Sequence, residues 1–258
     1  MKITNGIEML EISAVLAGGP NVGGASVIHP VLLWDEEDTI LVDAGLPGQL
    51  PQIRESMEKA GVPFARLSKV IITHHDMDHI GSLSAILHEC AAMKLQKVEV
   101  LAHEGEIPYI QAEQPPLRMV QIGAQLDAMP EERRGPMKAL YENLKANYQN
   151  FKANVDKAVS DGEELPCCGG ITVIYTPGHT LGHICLYLKR NKTLIAGDAM
   201  NVEGGLLVSA PLFTLYDKDL AAKSLKKLTQ YDIETVICFH GGIYKDNPNQ
   251  RIAELAGN

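Results

Sequence analysis

The order of hydrophobic and polar positions predicts a chain that begins with β-strands and continues as alternating strands and helices. Short apolar runs separated by Gly, Pro and acidic turns fill about the first forty residues, a pattern typical of strands and hairpins. Helical spacing follows from Gln49 to Lys59 and from Ile80 to Met93. The strands predicted in this part are Ile7 to Ala17, Ser26 to Trp34, Thr39 to Val42, Lys69 to Thr73 and Lys97 to Ala102, with glycine turns at 18–20 and 23–24.

The middle of the chain, from about residue 104 to 165, has a different pattern. It contains few β-branched residues, and its Leu, Met, Tyr and Ala positions are interrupted at Pro115-Pro116, Pro130 and Gly135-Pro136. We expect several short helices there. They would form an insertion within a single domain spanning residues 1–258, and an insertion at this place could form a lid over a binding site.

Strands return in the last third of the chain and complete the predicted architecture. They are Ile171 to Thr176, His183 to Leu188, Thr193 to Ala196 and Thr235 to Phe239, with a helix from Lys218 to Gln230 before the last of them. Strands in two batches with helices outside them predict an α/β (α+β) sandwich. Two mixed sheets would lie face to face, and helices would cover both outer faces, which makes four layers.

Composition restricts the class of partner. The chain is 45% hydrophobic and 21% charged, as in ordinary globular domains, and its net charge of -9 disfavours nucleic acid because phosphate binding relies on Lys and Arg. The N-terminus lacks the apolar core of a signal peptide, and no apolar run is long enough to cross a membrane. We therefore expect a cytoplasmic protein with a small-molecule substrate and no membrane partner. A homodimer stays open.

One short segment concentrates the chemistry. The predicted strand ending at Thr73 runs into His74-His75-Asp76-Met77-Asp78-His79, which holds three imidazoles and two carboxylates. These are common ligands of zinc, iron and manganese, and alternate residues of an extended segment point to the same side. His74, Asp76 and Asp78 share that side, so we expect His75 to point away from a metal site.

This segment resembles the His-x-His-x-Asp-His motif of the metallo-β-lactamase superfamily. Three later segments of the kind found in that family follow in the expected order at predicted strand ends: Thr176-Pro177-Gly178-His179-Thr180, Leu194-Ile195-Ala196-Gly197-Asp198 and Cys238-Phe239-His240-Gly241-Gly242. Before the motif, the chain also has Leu41-Val42-Asp43-Ala44-Gly45, another segment that such proteins carry. The resemblance spreads over nearly the whole chain and implies the four-layer αββα fold of that family.

Carried over residue by residue, the resemblance implies a two-metal site. Its ligands would be His74, Asp76 and His179 for one metal, Asp78, His79 and His240 for the other, and Asp198 as the bridge between them. Two cations lower the pKa of a shared water enough to supply hydroxide near neutral pH and stabilise charge on the attacked oxygens. The resemblance thus implies a hydrolase in which Asp78 and Asp198 belong to the catalytic centre.

Several positions leave alternatives open. The family usually has a second His where this chain has Asp76, and a carboxylate there favours iron or manganese relative to zinc. We expect Asp43 to orient ligands through hydrogen bonds and not to bind metal. We expect His75 to be structural, whereas His103 and His183 could each face the substrate or support a ligand.

The substrate class also stays open among small esters, lactones, thioesters and phosphoesters. Lactonases of the superfamily that act on acyl-homoserine-lactone signals have a Tyr three residues after the bridging Asp, where this chain has Asn201. Glyoxalase II-type thioesterases carry a C-terminal helical domain, for which we expect no room in the 18 residues after His240. A di-iron redox protein of flavodiiron type also has a carboxylate at the position of Asp76, but we expect no flavin domain here.

Overall fold

The computed structural model describes residues 1–14 and 26–257. Its strands, in chain order, are β1 (Lys2–Thr4), β2 (Ile7–Met9), β3 (Ile12–Ala14), β4 (Ser26–Ile28), β5 (Val31–Trp34), β6 (Thr39–Val42), β7 (Lys69–Ile72), β8 (Glu99–His103), β9 (Lys157–Val159), β10 (Glu164–Leu165), β11 (Ile171–Tyr175), β12 (Ile184–Leu188), β13 (Thr193–Gly197), β14 (Met200–Glu203), β15 (Leu206–Ser209), β16 (Thr235–Cys238) and β17 (Gly242–Tyr244). Its α-helices are α1 (Leu50–Lys59), α2 (Met77–Ile80), α3 (Leu83–Ala92), α4 (Ile107–Ile110), α5 (Leu117–Gln125), α6 (Glu131–Asn147), α7 (Lys218–Leu228) and α8 (Pro248–Leu255).

Two large mixed sheets form the centre of the fold. The first sheet has the spatial order β1-β2-β5-β6-β7-β8-β9, antiparallel as far as β6 and parallel from β6 to β9. The second sheet has the order β10-β11-β12-β13-β16-β17, in which β13 and β16 are parallel neighbours and the other pairs are antiparallel. The β3–β4 and β14–β15 pairs form separate two-stranded ribbons.

Alternation along the strands assigns their side chains to different cores. Ile40 and Val42 of β6 pack in one cluster with Val173 of β11, so this cluster fills the space between the two sheets. Leu41 points to the opposite face and joins a cluster that contains Ile53 of α1. Helices α7 and α8 cover the outer face of the second sheet in the same way. The order is helix, sheet, sheet, helix, and the predicted fold class is confirmed.

The helix predicted from Ile80 to Met93 corresponds to α3, whereas Ile80 itself ends the separate single turn α2, and Gly81 and Ser82 lie between the two helices. A Cβ at Gly81 would lie 2.4 Å from the ring of Pro47, so the chain must approach the preceding loop closely here. The Ser82 hydroxyl donates to the Leu46 carbonyl at 2.6 Å. These contacts with one loop separate α2, which carries chemistry, from α3, which packs in the core.

The middle segment is helical only in part. Helix α6 continues through Pro136, where a break was predicted, because a proline near the start of a helix removes a single hydrogen bond and Gly135 adds no side chain to clash. Residues 157–159 form β9 at the edge of the first sheet, so the expectation of a helical segment extending to about residue 165 was wrong at its end. Met119 and Ile122 of α5 pack on Leu144 of α6. We call residues 117–147 the lid.

Some elements were not predicted, and one part of the prediction lies outside the described residues. The β14–β15 ribbon turns at Gly204-Gly205, a dipeptide that is itself a hairpin signal, and α8 begins at Pro248. The turns expected at 18–20 and 23–24, and the end of the first predicted strand, fall outside the described ranges. Within residues 1–14 and 26–257, no helix combines the length and apolar character needed to cross a membrane.

Candidate metal centre

The ends of four strands deliver the seven residues that the sequence predicted as metal ligands. His74 and Asp76 follow β7, and Asp78 and His79 lie in the short helix α2 directly behind them. The remaining three follow β11, β13 and β16 and are His179, Asp198 and His240. Alternation explains only part of the first cluster, because Asp78 reaches the site from a helical turn and not from an extended segment.

The structure brings all seven residues together. Nitrogen and oxygen atoms that could bind one ion lie within 4.8 Å of one another in three groups: His74, Asp76 and His179; His74, His79 and Asp198; and Asp78, His79 and His240. The first and third groups are the two ligand sets implied by the resemblance. Asp198 lies between them, as a bridging carboxylate would.

Distances between ligand atoms fit a shared ion. Two ligands about 2.0–2.1 Å from a tetrahedral metal lie roughly 3.3 Å apart. Asp198 Oδ2 is 3.3 Å from His240 Nε2 and 3.7 Å from His179 Nε2, and its Oδ1 is 3.3 Å from His79 Nε2. In the first group, Asp76 Oδ2 is 3.1 Å from His179 Nε2. A single carboxylate, Asp198, thus contacts histidines of both groups.

Hydrogen bonds behind the ligands set which ring nitrogens face the site. His79 Nδ1 lies 2.9 Å from Asp43 Oδ2, so the carboxylate accepts a hydrogen bond from Nδ1–H and Nε2 is directed into the site. The Thr73 hydroxyl donates to Asp43 at 2.9 Å and can then accept from His74 Nδ1 at 3.1 Å. Asp43 therefore hydrogen-bonds directly to one histidine of the candidate ligand set and through Thr73 to another, which is the kind of support that metal sites require.

Buried polar atoms left without partners provide the test for a metal. Among the described residues, the buried atoms with no hydrogen-bond partner include His74 Nε2, His79 Nε2 and Asp198 Oδ1, all pointing into this site. Buried polar atoms are almost always hydrogen-bonded, and leaving one unpaired costs about 1–3 kcal/mol. The donor set of imidazole and carboxylate suits a divalent cation. The residues present therefore fit a divalent metal ion at this centre.

The pKa values of the candidate ligands also indicate a site for a cation. Burial would raise the pKa of Asp198, but His240 and His79 beside it hold that pKa well below its ordinary range. Burial would lower the pKa of His240, but Asp198 and Asp78 raise it to about 10. Without metal, protons on the histidines therefore balance the carboxylates. A cation that binds here must displace such protons.

The structure distinguishes the roles of His183 and His103, which the sequence left open. His183 is fully buried, its Nε2 accepts from the backbone N–H of Asp198 at 3.1 Å, and its Nδ1 lies 2.9 Å from the Thr176 hydroxyl. Gly197 permits this contact, because a Cβ there would lie 2.7 Å from His183 Nε2. His183 thus positions Asp198. His103 instead accepts from the Gly105 N–H and stacks on Tyr175.

His75 points away from the ligand groups, as expected, and its partner is a residue that sequence reasoning missed. Glu106 is completely buried, and one of its oxygens accepts hydrogen bonds from both the backbone N–H and Nδ1 of His75. Its other oxygen accepts from the Thr180 hydroxyl and the Gly182 N–H, each at 2.7 Å. Glu106 therefore joins the loop after β7 to the loop that carries His179.

The same histidine also reaches the lid. The N–H of Leu117, at the start of α5, donates to His75 Nε2 at 3.2 Å. Because Nε2 accepts, the ring proton is on Nδ1, where Glu106 requires it. Burial would raise the pKa of Glu106, but His75 and Thr180 hold it at about 2. Glu106 is thus a buried carboxylate whose four hydrogen bonds tie both ligand loops together and, through His75, the lid.

A cavity of about 290 Å³ lies between the ligands and the lid. Asp76 and Asp78 line it on the side of the metal centre, and Arg118, Leu140 and Leu144 line it on the side of the lid. The volume is at the lower end of the roughly 300–1,000 Å³ that small-molecule sites occupy. Side chains of the segment called the lid therefore line a small cavity beside the candidate ligands.

Known proteins are similar to this chain in sequence family and in fold. A sequence profile described as the metallo-beta-lactamase superfamily matches residues 23–240. The probable metallo-hydrolase YflN of Bacillus subtilis (strain 168) is 28% identical over 237 residues, which cover 86% of this chain and 83% of that protein. A hydroxyacylglutathione hydrolase of Rhizobium meliloti (strain 1021) is 31% identical over 113 residues, 40% of this chain and 42% of that one.

Among solved structures, the metallo-beta-lactamase family protein TTHA1429 from Thermus thermophilus is similar with a TM-score of 0.70 and 20% sequence identity. The similarity covers 99% of this chain and 80% of that chain, and it concerns the fold. The profile match extends over most of the chain and includes every candidate ligand from His74 to His240. This chain belongs to the metallo-beta-lactamase superfamily.

Proposed function

We propose that this protein is a hydrolase with two divalent metal ions per chain and that its substrate is a small ester, lactone, thioester or phosphoester. The observation that carries the proposal is the position of Asp198, whose oxygens lie within 3.3 Å of histidines His79 and His240 and 3.7 Å from His179. The similar protein YflN is named a probable metallo-hydrolase, which supports a hydrolase function for this chain.

The two cations would supply a water of lowered pKa and positive charge beside the attacked bond. The protein's own residues prepare that site. Asp43 and Thr73 keep the Nε2 atoms of two histidines free, and His183 holds the backbone of Asp198. In the hydrolysis, water adds to the acyl or phosphoryl centre and the bond to the leaving oxygen or sulfur breaks, giving an acid and an alcohol or thiol.

The lid restricts which substrates fit. The cavity is small and is bounded by apolar side chains of the lid and of α2, among them Leu140, Leu144 and Met77. A short acyl or phosphoryl compound would fit a space of about 290 Å³. Asn201, at the position of the lactonase Tyr, lies in β14 and pairs with Val208 of β15. Lactones remain among the proposed substrates, but no tyrosine at this position supports them.

Asp76 bears on the choice of metal and on the one rival function. A carboxylate adds hardness and negative charge to the first ligand group, which favours iron or manganese over zinc. The same feature favours a di-iron redox centre as second candidate. Purified protein with a visible absorption band that bleaches on reduction, and without hydrolytic activity, would support that candidate instead.

Metal analysis and activity test the proposal together. Protein grown with iron, manganese and zinc should contain about two metal ions per chain and should hydrolyse some member of a panel of aryl esters, thioesters, lactones and phosphodiesters. Asp198→Asn keeps the side chain's shape but cannot bridge two cations, so it should lose metal and activity. Asp232→Asn, which changes an exposed carboxylate paired with Lys192, is the matched control. Metal-free protein after metal-replete growth would refute the proposal.

A further inference from the structure

One arginine of the lid lines the cavity beside the candidate ligands. Arg118 is the second residue of α5, and it shares the cavity wall with Asp76 and Asp78. Its Nη1 donates to the backbone carbonyl of Phe213 at 2.7 Å. Phe213 lies just before Tyr216, whose N–H donates to the carbonyls of Gly178 and His179. Arg118 thus sits where the lid meets the loop that carries a candidate ligand.

The charge of Arg118 has no counter-charge in the part of the chain that the structure describes. Its side chain takes part in no ion pair there, and the Phe213 carbonyl uses one of the five N–H donors of the guanidinium. Asp76 and Asp78 line the same cavity, but the proposed function assigns their oxygens to metal ions. The other side chains on the lid side are mostly apolar.

A guanidinium beside an apolar cavity is suited to bind a carboxylate. Its planar fork matches the two oxygens of that group, and hydrogen bonds between two charged groups are stronger than those between neutral ones. A phosphate dianion would need further cationic or N–H donors, and Arg118 is the one Lys or Arg side chain lining this cavity within the described residues. One positive charge therefore matches one carboxylate.

We propose that the substrate is an ester or thioester whose acyl chain ends in a carboxylate and that Arg118 binds this carboxylate. This inference rests on the proposed hydrolase function and names its substrate class. The reacting carbonyl would lie beside Asp76 and Asp78, and the methylene chain would pack on Leu140 and Leu144. Arg118 is then a specificity-determining residue.

Two esters of equal length test the proposal: 4-nitrophenyl hydrogen adipate, which carries a terminal carboxylate, and 4-nitrophenyl hexanoate, which is neutral. Water cleaves the acyl C–O bond of each and releases 4-nitrophenol and the acid. The wild type should prefer the adipate ester. Arg118→Gln should lower kcat/KM for that ester about ten- to hundredfold, through KM, and leave the hexanoate ester within about twofold, since a charged hydrogen bond is lost for one substrate alone.

Two further variants serve as controls. Arg118→Lys keeps the charge without the planar fork and should retain part of the preference. Arg134→Gln removes another lid arginine that donates to a backbone carbonyl, that of Met129 at 2.7 Å, and it should change neither ester. If Arg118→Gln reduces the hydrolysis of both esters equally, Arg118 only fastens the lid, and the inference is wrong.

Binding gives a readout that does not depend on turnover. The monoanilide of adipic acid should bind the metal-loaded wild type more tightly than hexananilide does, and Arg118→Gln should abolish the difference in calorimetry. No hydrolysis of either ester would overturn the substrate class inferred here, even with the anilide preference intact, because the proposed function also includes lactones and phosphoesters and is tested separately by the wider panel. Hydrolysis of the neutral ester with no preference in either assay would overturn the inference and leave the hydrolase proposal standing.

Discussion

Replacing Glu106 by Gln should destabilise the protein far more than the loss of one charge at its surface would. Both oxygens of Glu106 accept two hydrogen bonds each, from His75 on one side and from Thr180 and Gly182 on the other. A glutamine turns one oxygen into an NH₂ group. That group then faces N–H donors, so at least one buried donor on that side loses its acceptor.

The magnitude follows from two independent considerations. Lowering the pKa of Glu106 from its ordinary 4.5 to about 2 corresponds to about 3 kcal/mol of stability at neutral pH. Leaving one buried hydrogen-bond donor without its acceptor separately costs about 1–3 kcal/mol. For a chain of this size, a loss of about 3 kcal/mol lowers Tm by roughly 10 °C.

Thermal unfolding of metal-free protein measures this effect without a contribution from bound metal. Glu163→Gln is the control, because Glu163 pairs with Lys157 at the surface, where such pairs contribute about 0–1 kcal/mol. A Tm for Glu106→Gln within about 2 °C of the wild type would refute the argument, since the unpaired donor must then have found another acceptor at no cost.

The dependence on pH gives a second check on the same residue. The folded-state pKa of Glu106 is depressed, so its contribution is complete above the unfolded pKa near 4.5 and is lost as pH falls towards about 2. Between these values the wild type should lose stability more steeply than Glu106→Gln. Parallel curves would mean that Glu106 is not held ionised in the folded protein.

Three further outcomes are expected. Metal binding at pH 8 should release protons, because the His240 pKa is raised to about 10 without metal; calorimetric heats that do not change with the ionisation enthalpy of the buffer would contradict this. Asp76→His should shift the metal content of protein grown in mixed metals towards zinc, and an unchanged ratio would show that Asp76 does not set the preference. His183→Leu should leave the Asp198 N–H unpaired, cost about 1–3 kcal/mol in chemical denaturation and weaken metal affinity, whereas unchanged affinity would remove His183 from the support of the centre.

The candidate ligands were visible in the sequence because each lies next to a strand with a clear apolar pattern. His179, Asp198 and His240 follow three strands of the second sheet, and His74 follows β7 of the first. Strand ends at one edge of a sandwich converge, so local patterns together with the family resemblance identified residues that are far apart along the chain. The family itself is confirmed, whereas the binding roles of these residues stay predictions until metal is measured.

Glu106 and Arg118 could not be found in this way. Glu106 is 31 residues from His75 and 74 from Thr180, and nothing in its own neighbourhood distinguishes it from a surface glutamate. The one available signal was indirect: His75 was expected to point away from the metals, so a buried partner for its ring was required. Arg118 lies in a segment whose helices are short, and its place depends on how the lid packs.

Errors in the predicted elements have a common physical origin. Periodicity reports which face of a segment is buried, but not where a neighbouring loop forces a break. The contact between Gly81 and Pro47 separates Ile80, the last residue of α2, from the rest of the predicted helix in α3, and β9 became a strand because β8 offers it an unpaired edge. Both depend on residues distant in sequence, which a window along the chain does not include.

The break between α2 and α3 also explains how one short segment performs two tasks. Because α2 is a single turn, Asp78 and His79 lie at the ligand groups while Met77 packs against the hydrophobic cluster of the lid. In the loop before α2, Asp76 contacts His179 of the candidate ligand set, whereas His75 hydrogen-bonds to Glu106. A continuous helix would separate these directions by fixed angles of about 100° per residue. Residues 74–79 therefore contact both the candidate ligand groups and the lid, and we expect a change in the position of one to shift the other.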